Sequence, residues 1–171
     1  VHTPFSGMEH QTSIAYGNEY KKTAYGYDFI LLHELGHEWW GNFLSVADWG
    51  DIWIHEGICT YAEVMYIEDK LGLERAIEFV KVRLKKNITN SEPIIRPKGS
   101  TAKLTSGNDV YYKAAHVLHT IRYLVGKDIL WSTLKEFLYM PKELSNNQTS
   151  TLEFISLLNE NSNMDLHWVF N

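Results

Sequence analysis

A single cysteine, Cys59, stands in this sequence. An intrachain disulfide is therefore excluded, and so is any metal site built on several thiolates. A bound metal would have to rest on histidine and carboxylate. Long apolar runs are missing too: no stretch approaches the ~18 residues of a membrane span, and no signal peptide is visible. Basic residues are outnumbered, with 16 Lys and Arg against 21 Asp and Glu, and the net charge of −5 gives no reason to expect nucleic acid. Lys81, Arg83, Lys85 and Lys86 form the one basic cluster, which reads as a solvated helix face. Two glycosylation tripeptides, at Asn87 and Asn147, are of a kind frequent by chance. Neither compartment nor oligomeric state is legible.

What is present suits a globular domain. With 44% hydrophobic and 22% charged residues, 171 residues fit one domain with a real core. No repeat or internal linker divides it. Residues 8–16 read as a strand closed by Gly17-Asn18. Asp28 is a plausible N-cap for a helix through about Phe43, and a second helix is expected from near His55 to Leu71. Apolar positions 73, 76, 77, 80 and 84 make a helical stripe over residues 73–88. Pro93, Pro97, Gly99 and Gly107 mark a long loop over 89–108, followed by helices at about 109–125, 127–139 and 149–160. The expected fold is α+β and mostly helical, with a small sheet at the N-terminal edge. Trp39, Trp40, Trp49 and Trp53 are expected to pack in the core.

His33-Glu34-Leu35-Gly36-His37 lies inside the first of these helices. Histidines at i and i+4 share one helix face, roughly 6 Å apart in rise, so both imidazoles reach one ion. Glu34 then flanks the open coordination position. Zinc favours such a set and needs three protein ligands to act as a catalyst. Glu56 follows His37 after eighteen intervening residues, at the start of the next helix, where the loop between can fold it back as third ligand. Glu63 and Thr60 share the face of Glu56, and either would steady a ligating imidazole through its second nitrogen. His116 and His119 form another helical pair without a third partner at matching spacing.

These motifs carry a resemblance. His-Glu-x-x-His, eighteen residues, then Glu56 within Trp53-Ile54-His55-Glu56-Gly57 resembles the aminopeptidase N family of gluzincin zinc metallopeptidases, with His55 where the family has Asn. The likeness runs from Ser6 to Phe170 and implies a thermolysin-like zincin catalytic domain holding one zinc on His33, His37 and Glu56. Ser6-Gly7-Met8-Glu9-His10 is similar to the family's Gly-x-Met-Glu-Asn motif, which implies that Gly7, Met8 and Glu9 bind substrate, with Glu9 on its free α-ammonium group. Val110-Tyr111-Tyr112-Lys113-Ala114-Ala115 resembles Val-Tyr-Glu-Lys-Gly-Ala, which points to Tyr111 as the oxyanion donor beside the general base Glu34. Tyr112 for Glu and Ala114 for Gly are the departures. The family's members are longer, so residues 1–171 are expected to be one domain cut at both ends from a multidomain chain. The implied activity is removal of N-terminal residues from peptides with a free N-terminus. A zincin endopeptidase and a non-catalytic protein-binding domain are the alternatives.

Overall fold

The computed structural model describes residues 1–101, 107–141 and 147–170. Its centre is a helix buried on most sides, α2 (Trp53–Leu71), about 28 Å long at 1.5 Å per residue. Ile54, Ile58, Tyr61, Val64 and Ile67 are essentially solvent-free along it. Around α2 pack α1 (Phe29–Gly36), α3 (Leu73–Phe79) and α5 (Tyr112–Val125). Next come α6 (Lys127–Tyr139) and α7 (Thr151–Ser162), which pack on each other. Trp53 is fully buried, stacks edge-on against Phe154, and donates its indole N–H to the Thr151 hydroxyl at 2.8 Å. The start of α2, where Glu56 sits, is thereby pinned to the start of α7.

The mostly helical expectation holds, while several boundaries move. The strand expected over 8–16 is a hairpin of two short strands, β1 (Gly7–Met8) and β2 (Ala15–Tyr16), paired antiparallel. The polar run between them turns instead, with the Ser13 N–H donating to His10 C=O and Thr12 at φ 68°. The first helix stops at Gly36, not Phe43. Beyond it the backbone bonds widen, with Asn42, Phe43 and Leu44 N–H reaching five residues back. α2 begins at Trp53, two residues earlier than expected. The stripe over 73–88 is not one α-helix: α3 passes into a π-helical turn, Val80–Leu84, and then α4 (Lys85–Asn87). In the last helix, residues 148–149 form β4 (Gln148–Thr149), parallel to β3 (Ser45–Val46), and α7 starts at Thr151 on a Ser150 cap. Residues 102–106 of the expected loop lie outside the described residues. Of the four tryptophans read as core, Trp53 alone is fully buried, and Trp39 and Trp49 are 42% and 40% exposed.

Candidate metal centre

Asp28 caps α1 by accepting from Leu31 N–H, and His33 and Glu34 of that helix, with His37 just past its end, line one cleft. Glu56 meets them from the first turn of α2. His33 Nε2 and Glu56 Oε2 are 3.2 Å apart, the two histidine Nε2 atoms 3.2 Å, and His37 Nε2 and Glu56 Oε2 3.4 Å. Tetrahedral ligation with bonds of 2.0–2.1 Å requires ligand atoms about 3.3–3.4 Å apart, so this triangle fits a zinc ion. The histidine chemistry agrees. His37 Nδ1 lies 3.0 Å from the Trp40 carbonyl, which can only accept, so Nδ1 carries the proton and the Nε2 lone pair faces the triangle. A cation between the three atoms would take the His37 lone pair and the Glu56 carboxylate together.

The surroundings tune these groups. Burial pushes the Cys59 thiol, 3.4 Å from His37 Nδ1, up to about 11, so it is neutral at pH 7. Glu63 Oε1 lies 4.0 Å from His33 Nδ1, and Tyr27 donates to its other oxygen at 2.8 Å. Of the two candidates on that face, Glu63 thus faces the second imidazole nitrogen, at longer than hydrogen-bond distance. Thr60 is buried at the cleft wall.

A cleft of about 480 Å³ opens over the triangle. Glu34 borders it, almost wholly buried, and burial raises its pKa above the ordinary carboxylate value, opposed by the neighbouring histidines. Glu9 joins from the end of β1, and ligand atoms of Glu9, Glu34 and His37 gather within 4.8 Å. Gly7 makes that approach possible: a Cβ there would stand 2.4 Å from Glu34 Oε1. Gly7 and Met8 line the same wall.

Tyr111 stands at the N-terminus of α5, its ring 6.0 Å from that of His33. Burial and the Glu56 carboxylate push its phenol well above the ordinary value, so it remains a proton donor. Gly57 lets α5 come this close to α2, since a Cβ there would lie 2.5 Å from that of Ala114. Every residue singled out for the site from sequence therefore lines this one cleft.

Comparison with known proteins now bears on the arrangement. The model of the peptidase family M1 domain matches residues 8–171. This chain belongs to peptidase family M1. Pig glutamyl aminopeptidase is 25% identical over 146 residues, covering 79% of this chain and 15% of that protein. Rat aminopeptidase N is 27% identical over 121 residues, 64% of this chain and 12% of that one. The M1 chain described here thus spans only a small part of these relatives. Among solved structures, an M1 zinc metallopeptidase from Deinococcus radiodurans bound to a Tyr-Ser-Ala substrate superposes with a TM-score of 0.76 at 22% identity, over 99% of this chain and 37% of that one. The fold is that of the M1 zinc metallopeptidases.

Sequence reasoning missed three features of this M1 cleft. Tyr27 backs Glu63 from a stretch with no metal motif. Asp109 organises the loop beside Tyr111, and its only sequence signal was its place two residues ahead. Arg83 enters the cleft wall from a helix that looked solvated.

Proposed function

We propose that this domain hydrolyses the N-terminal peptide bond of peptides as a zinc aminopeptidase, with His33, His37 and Glu56 as the metal ligands. The observation that carries the reading is the triangle of ligand atoms, 3.2, 3.2 and 3.4 Å on its sides, with two further carboxylates at its rim. When bound there, zinc supplies Lewis acidity and brings the pKa of a water toward neutrality. The family assignment and the aminopeptidase relatives support the same chemistry.

Glu34 takes the proton of the attacking water and returns it to the departing amine, a role suited to a carboxylate whose burial raises its pKa. Tyr111 donates its phenol O–H to the carbonyl oxygen as negative charge develops there. Glu9 accepts the substrate's α-ammonium and sets the register at one residue per cleavage. A blocked amine would strand this carboxylate, which disfavours internal cleavage. Gly7 and Met8 offer strand backbone to the substrate.

The test is hydrolysis of a panel of aminoacyl fluorogenic amides and their N-acetylated counterparts, with zinc content measured and a chelator titrated. Activity on free amines alone, lost with the metal, is expected. Indifference to acetylation removes Glu9 from its role and points to an endopeptidase. Turnover that survives complete removal of zinc sinks the proposal.

A further inference from the structure

Arg83 is the one lysine or arginine in the cleft wall among the described residues. Its companions in the basic cluster, Lys81, Lys85 and Lys86, are exposed, as a solvated helix face requires, whereas Arg83 is half-buried. It belongs to the π-helical turn Val80–Leu84, with Val80 and Leu84 buried on either side. Turns of this kind recur at functional sites because the added residue re-aims a side chain.

Two rings hold the guanidinium. Its Cζ lies 5.1 Å from the Phe29 ring centroid and 5.5 Å from that of Tyr112. Stacking fixes the plane of an arginine while leaving its N–H fork free for a planar anion. No carboxylate forms an ion pair with it among the described residues. An arginine oriented by aromatic faces, open to a cleft and in no ion pair among the described residues, is arranged to receive an anion.

Its place along the cleft says which part of a substrate arrives. Glu9 gathers with Glu34 and His37 on one side of the ligand triangle. Arg83 lies on the other side: it stacks on Phe29 at the first residue of α1 and on Tyr112, whereas Asn42, past the far end of α1, donates to the Glu9 carbonyl at 2.9 Å. With the α-ammonium held at Glu9, the chain beyond the scissile bond runs toward Arg83. We propose that Arg83 receives a substrate carboxylate on the leaving-group side of the scissile bond, so that the cleft selects peptides presenting an anion there. This rests on the aminopeptidase reading above. The carboxylate is either the free C-terminus of a short peptide or the side chain of an acidic residue. Elsewhere the wall carries Glu9, Glu34, Glu56 and Glu63, so an anion that missed Arg83 would be repelled.

The test measures binding to the zinc-loaded Glu34→Gln protein by calorimetry. The probes are Leu-Ala, Leu-Ala-Ala, Leu-Ala-amide and Leu-Asp-amide, each with and without Arg83→Met. Charge-assisted hydrogen bonding predicts that carboxylate-bearing probes bind about 10- to 100-fold tighter than Leu-Ala-amide. Arg83→Met should erase that ratio and Arg83→Lys should keep part of it. A preference confined to the free acids names the C-terminus as the anion, and one that extends to Leu-Asp-amide names the side chain. Equal affinities for acid and amide, or a ratio that survives Arg83→Met, overturn the proposal. Carboxylate preference in binding, joined to failure of the Glu34-containing protein to cleave any of these peptides, would keep the Arg83 assignment and sink the peptidase reading instead.

Discussion

Replacing Asp109 with asparagine tests how the cleft loop is held. Asp109 is fully buried, and its carboxylate gathers four consecutive amides. Thr89 and Asn90 N–H donate to Oδ1 at 2.9 and 3.0 Å, and Ser91 and Glu92 N–H donate to Oδ2 at 2.7 and 3.1 Å. Lys113 adds bonds to Asn90 Oδ1 and the Glu92 carbonyl at 2.7 and 3.1 Å, so the loop is tied to the turn that presents Tyr111. Burial alone would raise Asp109, yet these N–H groups outweigh it and hold the carboxyl at about 2 against an ordinary 3.8. At 1.36 kcal/mol per unit, ionisation of this group stabilises the fold by about 2 kcal/mol. Because the folded value lies below the unfolded one, that contribution is complete above pH ~4 and is lost as pH falls through ~2. An asparagine sets an NH₂ against two amide donors whichever way it turns. Two buried N–H groups then lose their acceptor, at about 1–3 kcal/mol each. Asp109→Asn should therefore cost about 3–4 kcal/mol at pH 7 in urea unfolding, with the gap narrowing by about 2 kcal/mol between pH 5 and pH 2. A variant within about 1 kcal/mol of the parent at pH 7, or a gap that does not change with pH, would refute the reasoning.

The remaining predictions concern chemistry and packing. Tyr111→Phe should lower kcat about 100-fold with little change in KM, read from steady-state kinetics on an aminoacyl amide. Metal analysis should find one zinc per chain in Glu34→Gln, with turnover down roughly 10²–10⁴-fold, and no zinc in His37→Ala. Gly57→Ala forces α5 away from α2, since its Cβ meets Ala114 at 2.5 Å, and should cost about 1–3 kcal/mol by thermal or urea unfolding. Adding Ala114→Gly should recover part of that loss. A double variant no more stable than Gly57→Ala would place the cost elsewhere.

Legibility followed the range of the interactions. The candidate ligand set could be read because i, i+4 spacing on a helix is local geometry and Glu56 opens the next helix, while the resemblance supplied the strand motif. Helix existence followed apolar period for the same reason, as in α6, whose bounds match. Boundaries failed where tertiary contacts decide. The first helix ends at Gly36, where it packs against Cys59, and no local signal announces that crossing. β4 pairs with β3 across about a hundred residues, which propensity over two residues cannot anticipate. His55, where the resemblance has Asn, accepts from Val46 N–H at 3.0 Å, so its imidazole ties the α2 start to β3. The π-turn was invisible for a different reason: its apolar stripe is compatible with an unbroken helix.

The departure at Tyr112 acquires a meaning from Arg83. The family pattern has glutamate at this position, one residue past the oxyanion tyrosine. Here an aromatic ring stands 5.5 Å from the Arg83 guanidinium instead. A glutamate there would meet Arg83 as a carboxylate and satisfy it within the protein, leaving nothing to attract an anion from the substrate. Tyrosine keeps the guanidinium oriented and its donors unspent. Tyr112→Glu should consequently abolish the preference for Leu-Ala over Leu-Ala-amide as thoroughly as Arg83→Met does, though the arginine itself is untouched. Should the Tyr112→Glu protein keep the full ratio, residue 112 does not govern Arg83, and the stacking argument for a free guanidinium fails with it.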